Sequence, residues 1–267
     1  AWDLRNLFEK VGLLKFFDID EYVCSHLVRM FYCNLTLSKD GKKLLSRVNG
    51  TKIVLTVEKV CEIFEIPNTP IKLYFWPDGD FTEVVTELKI RRTICKKDHP
   101  QEQGLDHQDC LNDRAKLICR FLAHNVVPRA GHFGEVQPLQ LVMVYAIVTT
   151  WKLNFGHIIF HHIANEEKRQ GSLPYCAALT LVFKHFDVEL DGEERFRMPR
   201  PFDAQTLYKM GILTKRKKTA EEESREDEED TGDDELVTKR DLRVMVTHLQ
   251  NVDSKMDMIL DLLKKQG

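Results

Sequence analysis

Cys95, His99, His107 and Cys110 come closest, in type and spacing, to a chemical site. Three residues separate the first pair and two the second, so two thiolates and two imidazoles could in principle enclose a tetrahedral zinc ion. The seven residues between His99 and His107 are fewer than common fingers use, and the competing reading is a polar loop that happens to be rich in Cys and His. We expect the loop, and no metal. His157, His161 and His162 include one pair four apart on a helical pattern, but no HExxH glutamate accompanies them and their neighbours are apolar. They read as core or surface histidines rather than ligands.

Catalytic patterns are missing. The chain contains no GxSxG elbow, no phosphate-cradling GxxxxGK[ST], no polymerase YxDD and no zinc-knuckle spacing. A transposase of the three-carboxylate type would need alternating strands and helices to hold two metal ions, and a single hairpin in a helical chain argues against it. The expectation is a protein that is not an enzyme and needs no cofactor.

Two further patterns point to partners. Lys215, Arg216, Lys217 and Lys218 form a dense basic cluster beside an acidic run, the kind of exposed cluster that a nuclear import receptor or a phosphate backbone recognises. Such clusters are also often merely solvated. In the tail, Leu242, Leu249, Met256 and Leu263 recur every seven residues, and Val246 and Leu260 fill two of the intervening core positions. Asp253 occupies the third, so a continuous two-stranded coil would bury a carboxylate near its centre. The association is therefore expected to be weak or to involve several helices. The alternative is that the stripe folds back onto the rest of the chain.

Charge is distributed unevenly. Residues 221–235 carry −10 while the whole chain carries −3, which leaves the remainder at +7. That excess is too mild to advertise duplex binding. Seven cysteines, an odd number without a framework, fit reduced thiols in the nucleus or cytoplasm. The chain opens at Ala1 without an initiator methionine, so the lack of a targeting signal carries no weight.

The elements that would position these groups are mostly helices. The longest uncharged stretch is Val136 to Trp151, whose apolar part spans 13 residues from Leu139, short of the roughly 20 that cross a bilayer. With Pro138 in its first turn, it reads as a buried helix apolar nearly all round. Trp2 to Lys15 predicts a helix with Leu4, Leu7, Phe8, Val11 and Leu14 on one face, and Asp20 is expected to cap a second bearing Tyr22, Val23, Leu27, Met30 and Phe31. Asn49-Gly50 between two β-rich runs predicts a hairpin. Thr56 should cap a short helix ended by Pro67 and Pro70, Phe81 to Ile94 reads as helix, and Asp113 opens another that stops before Pro128. Phe155 to Ile163 and Tyr175 to Phe186 continue the helical pattern, and Arg195 to Pro201 is expected to leave the core.

The order of LVRMFYCNL, VNGTKIVLT, EIFEIP, AHNVVPRAGHFGEV, LNFGHIIFHHI and LPYCAALTLVFKHFDV, over Trp2 to Val188, resembles the Putative plant transposon protein domain of plant retroelement reading frames. The resemblance implies a gag-like or accessory protein and carries over no catalytic residue. The reading is a mainly α chain: a helical domain with one small hairpin over 1–200, a disordered basic and acidic linker over 201–235, and an amphipathic coiled-coil-like helix over 236–267. Its expected role is structural, self-associating or partner-binding through the tail, with no membrane contact. A nucleic-acid-binding accessory factor is the second reading and a transposase-like nuclease the third.

Overall fold

The computed structural model describes residues 4–74, 85–98, 104–129, 132, 134–166 and 173–197. The chain divides into two units, Ala1–Thr214 and Lys215–Gly267, and every described residue belongs to the first. Among the described residues there are nine α-helices and two small sheets, and about half of these residues are helical. No helix among them is long and apolar enough to cross a membrane.

Helix α1 (Leu4–Val11) buries Leu7, Phe8 and Val11, as the spacing predicts. It does not continue to Lys15. Gly12 takes φ +76° and lies so close to Pro67 that a Cβ there would stand 2.0 Å from the proline Cδ. Only glycine suits that conformation and approach, and the chain re-enters helix as α2 (Leu14–Phe17), with Leu13 and Phe16 turned into the core in place of Leu14.

Asp20 does not cap a helix. Tyr22–Val23 is extended (β1) and pairs antiparallel with Phe196–Arg197 (β5), Tyr22 opposite Arg197. The Asp20 carboxylate accepts from Arg197 Nη1 at 3.0 and 3.1 Å, and the Arg197 guanidinium lies 4.6 Å over the Tyr22 ring. The chain therefore returns to the domain at Phe196–Arg197 instead of departing at Arg195; a two-residue strand offers no periodicity to read. Helix α3 starts only at Ser25 and runs to Cys33, burying Leu27, Val28 and Phe31.

The hairpin forms as its turn residues dictate. After β2 (Thr36–Leu37), strands β3 (Leu44–Val48) and β4 (Thr51–Leu55) pair in register, Val48 opposite Thr51 and Leu44 opposite Leu55. Asn49 and Gly50 both take positive φ, 45° and 78°, which matches the right-handed twist of the strands. One face of β3 is apolar apart from Ser46, whose hydroxyl donates to the Phe31 carbonyl at 2.8 Å. Thr56 then caps α4 (Val57–Phe64), its Oγ1 accepting from Lys59 N–H at 3.2 Å.

Residues 81–84 of the expected Phe81 helix lie outside the described residues; α5 occupies Glu87–Ile94 behind Thr86. Asn112 caps α6 (Asp113–Phe121), accepting from Ala115 N–H at 3.0 Å. The central helix α7 (Pro138–Thr149) is buried nearly all round, with Leu139, Val142, Met143, Val144, Ala146 and Ile147 fully enclosed. Helices α1, α5 and α6 cover it. An all-apolar circumference demands such covering, since any bare flank would face water. Helices α8 (Phe155–Glu166) and α9 (Cys176–His185) complete the core, α8 crossing α4 and α9 lying on α3 and α4.

Candidate functional site

At its C-terminal end, α5 passes Cys95 into a short backbone pairing with the segment before α6. Lys96 N–H donates to the Cys110 carbonyl and Asn112 N–H to the Ile94 carbonyl, both at 2.9 Å, so Cys95 lies opposite Leu111. Cys95 and Cys110 thus flank one corner of the chain, and the interaction between their thiols holds Cys95 below the usual thiol range and pushes Cys110 up. His107 turns elsewhere, capping a 3-10 turn over Gln108–Cys110 by accepting Asp109 N–H at 3.2 Å. His99 lies outside the described residues. Of the four residues weighed for zinc, the structure thus joins two, and among the described residues no three His, Cys, Asp or Glu side chains converge as a metal would need.

The α8 histidines sit in packing environments. His162 is fully buried and meets the Tyr175 ring edge-on at 5.6 Å. The rings of His157 and His161 lie 4.2 Å apart, with Tyr74 stacked on His161 at 5.5 Å. Burial pushes His157 down to about 4, with His161 and Lys72 adding to the effect, and burial also lowers His161. Both are therefore neutral near pH 7. Asn154, fully buried, holds the start of α8: its Oδ1 accepts His157 N–H at 2.8 Å and its Nδ2 donates to Asn68 Oδ1 and the Thr69 carbonyl, each at 2.8 Å. That polar hub is invisible along the chain, because its partners Asn68 and Thr69 belong to the loop after α4.

A third grouping escaped sequence reading altogether. Lys116, Arg120 and His124 follow one another at helical spacing of four along α6, which widens into a π-helical turn over Leu122–Val126. Such widened turns recur at functional positions. Tyr175 anchors this one, its hydroxyl donating to the Val126 carbonyl at 2.6 Å. Beyond the turn, the Arg129 guanidinium donates to the Glu135 carbonyl. His124 is pushed down to about 4, first by burial and then by Arg120 and Arg129. Burial is the larger cause, and Arg120 and Arg129 add a positive local potential; the acids on this face include Asp109, 3.8 Å from Lys116 Nζ, and Glu135, which acts on Arg129. An anion is the chemistry this face could accept. The signal was diluted because the excess of +7 outside residues 221–235 does not say which cations meet.

Lys215 to Lys218, weighed for nuclear import, and Leu242, Val246, Leu249, Met256, Leu260 and Leu263, weighed for self-association, lie outside the described residues. The expected charged linker over 201–235 and coiled-coil-like helix over 236–267 lie there too.

A family model described as Putative plant retrotransposon-related domain matches residues 9–189. No curated protein and no solved structure matches the chain.

Proposed function

The chain belongs to the plant retrotransposon-related domain family, and from that premise we propose a non-enzymatic structural and interaction protein of a plant retroelement that associates with its own copies through the C-terminal heptads. The observation that carries the reading is the seven-residue spacing of Leu242, Leu249, Met256 and Leu263, an apolar seam that needs a partner. A helix carrying such a seam draws most of its stability from packing that apolar face against a partner. In support, several described titratable groups are engaged in packing and capping: His107 caps a turn, His161 stacks on Tyr74, and His157 meets His161 edge-on. Lys215 to Lys218 address the protein to the nucleus in this reading. Light scattering across the micromolar range tests it. The full chain should gain mass with concentration, and a chain ending before Leu236 should not.

A second reading, nucleic-acid binding, is favoured by one specific observation, the meeting of Arg120, His124 and Arg129 at the π-helical turn. Salt separates the two. Phosphate binding weakens steeply as ionic strength rises, because condensed counterions are released, whereas association through apolar side chains does not. Retention of a fluorescent oligonucleotide at low salt, lost when Arg120 and Arg129 are replaced by Gln, would favour the second reading.

A further inference from the structure

Residues 191–197 lie on the domain almost without entering it. All of them are exposed except Glu193, which is half-buried, yet they run alongside residues 22–26. Phe196 pairs with Val23 and Arg197 with Tyr22, and Glu193 Oε2 stands 3.4 Å from His26 Nδ1. These contacts bracket Cys24, and Val23 and Cys24 are each only 1% exposed. Burial raises the Cys24 thiol above its ordinary range, and the charges that act on it are Arg195 and Glu193, both in this segment.

The two sides of the β1–β5 ribbon are held unequally. β1 is fixed independently by α9: Thr180 Oγ1 donates to the Tyr22 carbonyl at 2.7 Å, and Lys184 Nζ donates to the Glu21 carboxylate at 2.7 and 2.8 Å. The returning chain is anchored as far as Glu189. Val188 is buried and its N–H donates to the Phe183 carbonyl at 2.9 Å, and Asn49 Nδ2 donates to the Glu189 carbonyl at 3.2 Å. It then turns at Gly192, φ +82°, where a Cβ would meet nothing within 4 Å. Beyond that turn the holding contacts are a two-residue pairing, the Arg197 guanidinium over the Tyr22 ring, the approach of Glu193 to His26, and the ion pair of Arg197 with Asp20, whose side chains are 53% and 54% exposed. Exposed ion pairs contribute little, and a segment with few buried contacts opens at lower cost than the domain around it. We propose that residues 191–197 form a releasable strap, which swings off β1 about Gly192 while the rest of the domain stays folded and so uncovers Val23 and Cys24 beside α3. The family match ends at residue 189, just before the strap, and the chain continues from the strap into the charged residues 201–235. A partner that pulls on those residues acts on the strap first.

Timed alkylation of the full chain at increasing urea below the unfolding transition, with each cysteine read by mass spectrometry, tests the strap. Exposed Cys33 should label first, and Cys24 should follow well ahead of buried Cys61 and Cys119. The Cys24 rate should stay nearly flat in urea, because opening a strap exposes little surface, whereas Cys61 and Cys119 should accelerate steeply, since they wait for unfolding of the domain. Arg197→Ala removes the ion pair and the ring contact together and should speed Cys24 labelling by about 5- to 30-fold, the factor that two contacts of these classes are worth. Cys24 labelling no faster than Cys61 and Cys119, or rising with urea as steeply as they do, would overturn the proposal, and that comparison needs no variant. So would an unchanged Cys24 rate in Arg197→Ala.

Discussion

Replacing Gly156 by Ala tests the close crossing of α8 over α4. Gly156 stands in the first turn of α8 where it crosses α4, and a Cβ added there would lie 2.3 Å from Cys61 Sγ. Ordinary contact between such atoms is about 3.5–4.0 Å, so the substitution inserts an overlap of more than an ångström. Cys61 cannot easily swing aside, because a helical residue has few χ1 choices and this side chain is buried. Parting the helices would in turn disturb Asn154 and its four polar contacts. Overpacking of this kind costs about 1–3 kcal/mol, offset by less than about 1 kcal/mol from the helix preference of Ala over Gly. In a domain near 200 residues, each kcal/mol moves the melting temperature by about 2–4 °C. Gly156→Ala should therefore lower it by several degrees in thermal or urea unfolding. Cys61→Ala removes the clashing sulfur, and the next atoms, Asn154 Oδ1 and Cys61 N, lie at 3.5 Å, which is ordinary contact. The double variant should recover about 1–2 kcal/mol relative to the sum of the single changes, a coupling typical of touching residues. Additive effects, or a neutral Gly156→Ala, would refute the packing described for α4 and α8.

Gly12→Ala should be worse, since a positive φ costs a non-glycine residue about 1–2 kcal/mol before the contact with the Pro67 ring is counted. Pro67→Ala should rescue only part of the loss in the same unfolding assay. The pH dependence has a defined sign. His124 and His157 sit at about 4 when folded against an ordinary 6.5, so between those values the unfolded chain binds more protons, and stability should fall as pH drops from about 6.5 to about 4. His124→Asn together with His157→Asn should flatten urea midpoints across that window; an unchanged slope would contradict the assigned burial. Residues 211–222 fused to a reporter too large for passive diffusion should carry it to the nucleus, and replacing Lys215 to Lys218 by Ala should stop it; a cytoplasmic reporter would discard the import reading.

Elements whose local signals agree with their tertiary role were legible from sequence. Asn49-Gly50 specifies its turn through positive φ at both positions, Thr56 caps as a hydroxyl at that position should, and α7 is apolar all round because it is buried all round. The misreadings arose where a distant contact overrides local preference. Gly12 breaks α1 because Pro67 lies against it. Asp20 prefers Arg197, 177 residues away, to a helix N-terminus, and no window along the chain contains both. The candidate groups follow the same rule. In sequence, Cys95, His99, His107 and Cys110 read as a polar loop rather than a metal site; backbone pairing places Cys95 and Cys110 at one corner and His107 caps its own turn, while His99 lies outside the described residues. The basic ridge at the π-helical turn was illegible because its members become neighbours only once α6 widens and Arg129 returns toward it.

The central claim is that the tail brings copies of the chain together, and Asp253 makes it directly measurable. Sedimentation equilibrium of the full chain, of the chain lacking Leu236 to Gly267, and of Asp253→Leu, over one micromolar concentration series, compares the three. The account predicts a concentration-dependent mass for the full chain and a monomer without the tail. It predicts tighter association for Asp253→Leu, because the carboxylate no longer has to be desolvated at a core position. Equal masses with and without the tail at every concentration would contradict it, and the heptads would then be a surface that docks within its own chain.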